Sequence, residues 1–302
     1  MIDDYDEFAL LDDNAADAGL PPASDPAVVR RFVDVGDGRR VSALVWGSGV
    51  PDAIFLHGGA QNAHTWDTVA LALSRPLVAI DLPGHGHSDW RPDGNYGVAT
   101  MADDVATTIE ALAPGAASLV GIGLGSPVAL LTADRRRGVV SRLVMIDSAS
   151  GARIPGAEAR PSVAAANVGE FTGGPHEFVS FDDILERTVR YNPGRSERSL
   201  QRGILHNARR RPDGTWAWRW DPNQKRARDF AFDDLEAALD RFTGPVLLVR
   251  GGLSDIVSDE AVAAFFGRHP DSRLVNIEGA GHGVQGDRPG ELAIQLNDFL
   301  TQ

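Results

Sequence analysis

The chain has 302 residues, of which 43% are hydrophobic and 24% are charged, and its formal net charge is −13. This length and apolar content suit one large domain with an insertion rather than a small module. The negative charge argues against nucleic acid and anionic membranes as partners. The chain has no cysteine, which excludes disulfides, thiolate metal ligands and a cysteine nucleophile.

The apolar runs have the length of strands, and the N-terminus lacks the basic and apolar regions of a secretory signal. We therefore expect no membrane span and a cytoplasmic location. Residues 1–26 are predicted to be a loose acidic arm that includes a short helix near Phe8. Two strands at 28–35 and 40–46 follow, and the glycine-rich turn between them indicates a hairpin.

Short apolar strands then alternate with amphipathic helices. The strands are predicted at 53–56, 77–80, 118–120, 143–146, 246–249 and 274–277, and the helices at 98–112, 126–134, 259–266 and 289–300. Four-residue apolar strands between such helices are typical of a parallel sheet that is covered on both faces. The fold class is therefore α/β, with a mostly parallel doubly wound sheet formed by residues 27–147 and 242–302.

The segment 148–241 interrupts this alternation and has a different character. It is rich in arginine, and its aromatic residues include Phe171, Phe178, Phe181, Trp216, Trp218 and Trp220. An insertion of this length after a strand end predicts a helical cap over the active site. An aromatic cap favours a moderately apolar small molecule as the substrate.

Five short motifs occur in an order that resembles the α/β-hydrolase fold. They are Phe55–Gly59 (FLHGG), Asp81–Ser88 (DLPGHGHS), Gly121–Gly125 (GIGLG), Arg250–Asp255 (RGGLSD) and Gly279–His282 (GAGH). They are similar to the oxyanion loop, the turn after the fourth strand, the nucleophile elbow, the acid-bearing loop and the histidine loop of that family. The resemblance covers residues 28–302 and implies a hydrolase-type site.

The third motif has the form of the G-x-S-x-G elbow with a glycine where the serine is expected. Gly121 and Gly125 stand at the outer positions and Gly123 in the middle. In such an elbow a strained strand-to-helix turn exposes the serine hydroxyl. Gly123 has no side chain on which an acyl-enzyme can form. Ser126 follows three residues later, where the first turn of a helix is expected to point its hydroxyl away from the tip.

The resemblance implies a catalytic pair of His282 and Asp255. His282 lies in a glycine-rich loop, where a tight turn directs the imidazole inward, and an imidazole is suited to proton transfer. Asp255 follows the strand at 246–249, at the edge where parallel sheets place functional groups. It is expected to hold the imidazole in one tautomer. Asp147 is an alternative acid, which we interpret as a local hydrogen-bonding group at a strand end.

The oxyanion hole is expected to use backbone N–H groups of Leu124 and of Gly59 or Ala60. The substrate pocket is predicted to be lined by four further side chains, those of His57, His64, Trp66 and Ile122. No acidic residue stands at H-E-x-x-H spacing, so no metal site is expected. No dinucleotide, flavin or phosphate-loop motif is present either, so no cofactor is implied.

Three functions fit these residues. The main hypothesis is an enzyme without a covalent nucleophile, in which a His-Asp dyad and a backbone oxyanion hole act on a small carbonyl compound by lyase, cyclase or direct water attack. The first alternative is a hydrolase homologue that binds a ligand without turnover. The second is an esterase-type hydrolase that uses another serine.

Overall fold

The structure is a computed structural model that describes residues 6–22, 27–152, 163–226 and 231–302. The strands are β1 (Val28–Asp34), β2 (Arg40–Trp46), β3 (Ala53–Leu56), β4 (Leu77–Ile80), β5 (Ser118–Ile122), β6 (Arg142–Ile146), β7 (Glu177–Phe178), β8 (Ala208–Arg210), β9 (Trp216–Trp218), β10 (Val246–Gly251) and β11 (Arg273–Ile277). The helices are α1 (Leu11–Asp17), α2 (Asp67–Leu73), α3 (Val98–Leu112), α4 (Gly125–Arg135), α5 (Val163–Gly173), α6 (Phe181–Tyr191), α7 (Glu197–Asn207), α8 (Phe232–Arg241), α9 (Asp259–Arg268), α10 (Val284–Asp287) and α11 (Pro289–Leu300).

The main sheet has the order β1-β2-β4-β3-β5-β6-β10-β11. β2 is antiparallel to both β1 and β4, and all other neighbouring pairs are parallel. The predicted α/β class with a mostly parallel sheet is therefore confirmed. Because β5, β6 and β10 are adjacent and parallel, their carboxyl ends lie side by side at one edge of the sheet.

Successive residues of the short strands pack on opposite faces of the sheet, as the period of two requires. Ile54 and Leu56 belong to the cluster that includes side chains of α3 and α4, whereas Ala53 and Phe55 belong to the cluster that includes side chains of α2 and α11. Both faces are thus covered by helices, which explains why these strands are apolar at every position. No helix in the described ranges is long and apolar enough to cross a membrane.

A smaller unit lies over the main sheet and corresponds to the predicted cap. It contains a three-stranded sheet of order β7-β9-β8 with α6 and α7 beside it. Its apolar cluster also includes Ala60 from the loop after β3, and its members are Ala60, Phe178, Ile184, Ile204, Ala208, Trp218 and Trp220. The cap therefore rests directly on the loop that the sequence assigned to the oxyanion hole.

The predicted cap boundary at residue 241 is too late. Helix α8 contributes Leu235 and Leu239 to the same core cluster as Leu130 of α4. Its amphipathic pattern buries these side chains against the core layer rather than in the cap. Residues 153–162 and 227–230 of the predicted cap lie outside the described residues.

The N-terminal arm is not loose where it is described. Leu11 and Ala15 of α1 are buried, and they anchor the helix to the core. On its other side, Asp13 forms an ion pair with Arg198 of α7, at 2.5 Å. The acidic residues of this arm therefore include partners for cap arginines.

Candidate active site

The turn between β5 and α4 has the backbone of a nucleophile elbow. A Cβ atom at Gly121 would lie 2.4 Å from the carbonyl oxygen of Gly125, and one at Gly125 would lie 2.3 Å from the carbonyl oxygen of Leu56. Only glycine fits at these two positions, because real Cβ contacts are never so short. Gly123 at the tip has φ of +51°, which is the left-handed region that strained elbow residues adopt.

The tip of this turn faces the imidazole of His282. A Cβ atom built on Gly123 would lie 3.2 Å from Nε2 of His282 and 3.7 Å from the Cα atom of Gly58. The side chain of His282 is 24% exposed, so Nε2 lies at a partly accessible surface, where proton transfer to a ligand is possible.

The carboxylate that binds His282 in the structure is that of Asp147 rather than the predicted Asp255. Nδ1 of His282 donates a 2.7 Å hydrogen bond to Oδ2 of Asp147, whose side chain is fully buried. This bond leaves Nε2 directed toward Gly123. The pair has the relation between base and orienting carboxylate that a catalytic triad uses.

Sheet topology places Asp147 close to the elbow. β6 pairs with β5, so the residue after β6 lies at the same edge of the sheet as the elbow, whereas Asp255 follows β10. Asp147 has φ of +47°, which turns its chain away from the strand. Its carboxylate accepts further hydrogen bonds from the hydroxyl of Ser254 at 2.5 Å and the N–H of Gly251 at 3.3 Å. These donors hold the buried charge in place.

Two buried histidines support the loop after β3. Leu82 N–H donates to Nε2 of His57 at 2.9 Å, so Nδ1 carries the proton and donates to Gly58 O at 2.7 Å. Ala60 N–H donates to Nε2 of His85 at 3.2 Å. Burial is the main effect that lowers the pKa of His85, to about 3, so the ring is neutral and can accept this bond.

These bonds decide which amides are available to an oxyanion. The Ala60 N–H already donates to His85, which favours Gly59 over Ala60 of the two predicted donors in this loop. Within the described part of the chain, the N–H groups of Gly59 and Leu124 donate no backbone hydrogen bond. A Cβ atom at Gly59 would meet nothing within 4 Å, so this segment borders open space. Gly59 and Leu124 remain the candidate donors.

Three of the four predicted pocket residues belong to the core instead. Trp66 and Ile122 are 0% and 1% exposed, and Trp66 packs edge-on against Phe55. His57 is fully buried and supports the loop after β3 as described above. These side chains are buried inside the protein although they are close in sequence to residues of the site. Only His64 lines a cavity.

His64 is the centre of a buried charged network. Its Nδ1 lies 2.8 Å from Oδ2 of Asp67 and its Nε2 lies 3.1 Å from Oε2 of Glu7. Burial lowers the pKa of His64, but the two carboxylates outweigh it and raise the pKa to about 9. Arg30 forms ion pairs with Glu7 at 2.6 Å and with Asp81 at 2.7 Å. These contacts fix the N-terminal arm to the core.

The same region contains a group of three potential metal ligands among the described residues, which are His64, Asp67 and His206. The prediction of no metal site did not foresee this group. The rings of His64 and His206 are stacked at 3.9 Å with an angle of 13° between their planes. Lone pairs in the planes of parallel rings do not converge on one ion, and the carboxylates of Asp67 and Glu7 already bind both nitrogens of His64. The geometry is that of a hydrogen-bonded histidine rather than a metal centre.

Ser126 does not supply a nucleophile. Its side chain is fully buried, and its hydroxyl donates a 2.8 Å hydrogen bond to the carbonyl oxygen of Gly121. This bond ties the first turn of α4 to the end of β5. The expectation that the hydroxyl points away from the elbow tip is therefore confirmed.

A cavity of about 510 Å³ lies between the cap and the loop after β3. Its wall includes Ala60, Gln61, Gln285 and Gly286 of the core. The other residues come from α1 and the residue after it, the segment 62–65, α2, the end of α10, the start of α11, and cap segments that include α6 and α7. The amide of Gln285 donates to Oγ1 of Thr65 at 2.9 Å and to Oε1 of Gln61 at 3.3 Å. Polar and charged side chains are prominent in this wall, in contrast to the moderately apolar pocket that the aromatic residues predicted.

Comparison with known proteins identifies the class of this site. Residues 53–295 match the model of the alpha/beta hydrolase family. The chain therefore belongs to the alpha/beta hydrolase family, as the order of its motifs indicated.

Individual relatives are similar over almost the whole chain. The chain is 42% identical to the esterase Rv0045c of Mycobacterium tuberculosis over 294 residues, which cover 95% of this chain and 93% of that protein. A crystal structure of that esterase superposes with a TM-score of 0.83 and 39% identity and covers 99% of each chain. The chain is also 31% identical to the 2-(acetamidomethylene)succinate hydrolase of Mesorhizobium japonicum, over 92% of this chain and 97% of that one.

These similarities correct the main functional hypothesis. A lyase, cyclase or other enzyme without a covalent nucleophile was expected from Gly123, but the 42% identical relative is an esterase. The likeness extends over 99% of both chains in three dimensions. The findings favour the alternative of an esterase-type hydrolase over the dyad-only enzyme.

Proposed function

We propose that the chain is an esterase-type hydrolase of a small-molecule carboxylic ester, with His282 and Asp147 as its base and orienting acid. The observation that carries the proposal is the 3.2 Å distance between Nε2 of His282 and the place where residue 123 would project a Cβ atom. The hydrogen bond from Nδ1 to the buried Asp147 supports the same assignment. Gly123 is inferred to occupy the place at which the elbow of this family carries serine.

The reaction proposed is ester hydrolysis through an acyl-enzyme. A serine hydroxyl attacks the ester carbonyl, and its proton passes to Nε2 of His282. The carbonyl oxygen becomes an oxyanion that the N–H groups of Gly59 and Leu124 stabilise. His282 then protonates the leaving alkoxide, and a water molecule hydrolyses the acyl-enzyme by the same steps. Because residue 123 has no hydroxyl, the serine is expected to come from another position in the chain.

A second function is favoured by one specific observation, the glycine at the elbow tip. A chain that keeps the pocket and the His282–Asp147 pair without a hydroxyl at residue 123 can bind an ester without forming an acyl-enzyme there. In that case the protein is a ligand-binding homologue of the esterases.

Two measurements on the purified chain distinguish these functions. The first is the hydrolysis of 4-nitrophenyl acetate, butyrate and octanoate, with the His282→Ala variant as the control for spontaneous reaction and contaminating esterases. The second is labelling by a fluorophosphonate probe, with mass spectrometry to locate the modified residue. Turnover that depends on His282, together with a labelled serine, supports the esterase. Equal rates for the two proteins and no labelling would refute it and leave the binding role.

A further inference from the structure

The cavity between the cap and the core has the chemistry of an anion site. We propose that Arg195 and Arg202 bind a carboxylate there, so that the substrate is an ester that also carries a free carboxylate group. That the ligand is a substrate rests on the proposed function, but the carboxylate site itself does not depend on turnover. It follows from two guanidinium groups in the cavity wall whose buried N–H donors lack acceptors.

Arg195 lies just before α7, and its positive charge is less well balanced by carboxylates than that of Arg202. Its Nη2 donates to the hydroxyl of Ser199 at 2.7 Å, and its Nε is buried with no hydrogen-bond partner. No carboxylate within the described ranges forms an ion pair with it. Burial lowers the pKa of Arg195 and the nearby Asp287 only partly opposes this effect, as expected for a cation that lacks a full counter-charge.

Arg202 lies two turns further along α7 and is 6% exposed. Its Nε donates to Oδ1 of Asn14 at 2.8 Å, and its Nη2 pairs with Asp17. The remaining nitrogen, Nη1, is buried without a hydrogen-bond partner. An unmet N–H on a buried guanidinium costs free energy. Because Arg202 lines the cavity, the proposal assigns this donor to the bound carboxylate.

The two arginines differ in how the acidic residues of the wall contact them. Asp17 pairs directly with Arg202, whereas Asp287, whose Oδ2 accepts the N–H of Gly281 at 2.9 Å, interacts with Arg195 only at longer range. His64 also lines the cavity, and its charge is balanced by the carboxylates described above. Arg195 is therefore the wall arginine without a direct carboxylate partner among the described residues. A guanidinium is the side chain best suited to hold a planar carboxylate through two hydrogen bonds.

The cavity is adjacent to the reaction site through two short segments. Gln61 lines the cavity, and its Oε1 accepts the N–H of Gly58 at 3.0 Å in the loop that also carries Gly59. Gly286, four residues after His282, approaches Arg195 so closely that a Cβ atom there would lie 2.9 Å from Nη1. The proposal therefore requires an ester that extends from the cavity past these segments, with its carboxylate at Arg195 and its carbonyl at His282.

Direct binding tests the site without any need for turnover. Titration calorimetry would be performed with glutarate, with its neutral dimethyl ester and with inorganic phosphate, on the unmodified chain and on Arg195→Gln. Arg198→Gln is the matched control, because Arg198 stands on the same helix, its side chain is 63% exposed and it pairs with Asp13. We expect glutarate to bind and the dimethyl ester not to bind. The Kd for glutarate should rise at least tenfold in Arg195→Gln and stay within twofold in Arg198→Gln.

Three outcomes would overturn the carboxylate site. They are glutarate affinity that is unchanged in Arg195→Gln, dimethyl glutarate that binds as tightly as glutarate, and phosphate that binds more tightly than glutarate. Circular dichroism confirms that the variants are folded. The Arg195→Lys variant, which keeps the charge but loses the planar fork, should give an intermediate affinity.

A kinetic experiment separates the failure of this site from the failure of the esterase proposal. The ratio of kcat/KM for mono-4-nitrophenyl glutarate to that for 4-nitrophenyl butyrate should fall at least tenfold in Arg195→Gln, mainly through KM. Glutarate binding without ester turnover would refute the esterase and keep the carboxylate site. Turnover with a ratio that Arg195→Gln leaves unchanged would refute the carboxylate site and keep the esterase.

Discussion

Replacing Gly123 by serine is the most direct perturbation of the site, because it places a hydroxyl beside the imidazole. The Cβ atom of the new residue would lie 3.2 Å from Nε2 of His282, so its Oγ lies within hydrogen-bond reach of the ring after a small shift of the imidazole. A positioned general base contributes about 10²- to 10⁴-fold. We therefore expect Gly123→Ser to hydrolyse 4-nitrophenyl butyrate at least about 100-fold faster than a variant without the hydroxyl.

The substitution has a cost in stability that the structure defines. Gly123 has φ of +51°, and a residue with a Cβ atom loses roughly 1–2 kcal/mol in this left-handed conformation. For a chain of this size, about 1 kcal/mol lowers Tm by roughly 2 °C. Gly123→Ala has the same Cβ atom and the same strain but no hydroxyl, and it is therefore the matched control for both effects.

The assay combines initial rates with fluorophosphonate labelling of Gly123→Ser, Gly123→Ala and Gly123→Ser combined with His282→Ala. Activity above that of Gly123→Ala, and labelling at residue 123, should appear in the first variant alone. A folded Gly123→Ser protein that neither hydrolyses the ester faster than Gly123→Ala nor reacts with the probe would refute the placement of the base or of the oxyanion donors.

Three further predictions follow from the surrounding contacts. In a Gly123→Ser background, Asp147→Asn should lower esterase activity by about 10³- to 10⁴-fold because it favours the wrong imidazole tautomer. Asp255→Asn in the same background should leave kcat within about threefold. Equal losses of activity in the two variants would contradict the assignment of Asp147 as the orienting acid. Ser126→Ala should leave ester hydrolysis unchanged and cost about 1 kcal/mol in urea unfolding, since it removes one buried hydrogen bond; a loss of turnover would contradict its structural role. The pKa of His64 is about 9 in the folded chain against 6.5 for the free side chain, so its stabilisation is complete below pH 6.5 and is lost as the pH rises to 9, by about 3 kcal/mol at most. Urea unfolding at pH 6.5, 8 and 9 should show this fall in the native chain, and His64→Gln should remove the slope; the same slope in both proteins would assign it to another group.

The main sheet was predictable because its strands combine two strong signals. Each central strand is a short run of apolar residues between amphipathic helices, and both signals arise within the segment itself. The elbow was also predictable, since the spacing of Gly121 and Gly125 reflects close approaches of their own backbone to neighbouring segments. Helix α8 was assigned to the cap because its pattern shows only that one face is buried, and not which layer buries it.

The hydrogen-bond partner of His282 is not predictable from the sequence for a geometric reason. Asp147 and Asp255 both follow buried strands, and the sequence does not show which carboxylate reaches the imidazole. The bond between Nδ1 of His282 and Oδ2 of Asp147 decides this question. Similarly, the motif around Gly59 gives no sign that His85, twenty-five residues later, accepts the N–H of Ala60. The signal that was available is the position of Asp147 directly after an apolar strand, which was noted as the alternative.

The cavity arginines were not predicted because their surroundings come from distant parts of the chain. Arg202 meets Asn14 and Asp17 across separations of 188 and 185 residues. Such contacts leave no periodic pattern in either segment. Arginine in a cap segment of an acidic protein is therefore indistinguishable, in sequence, from a solvated surface charge.

The docking of helix α1 brings two segments that are far apart along the polypeptide to one chamber. Asn14 and Asp17 form part of its wall, and so do Gln285 and Gly286. A ribosome must therefore synthesise the whole stretch between these segments before the chamber can close. Deleting residues 6–20 would remove no strand of the sheet, but it would open the chamber on one side and strip Arg202 of its acidic neighbour.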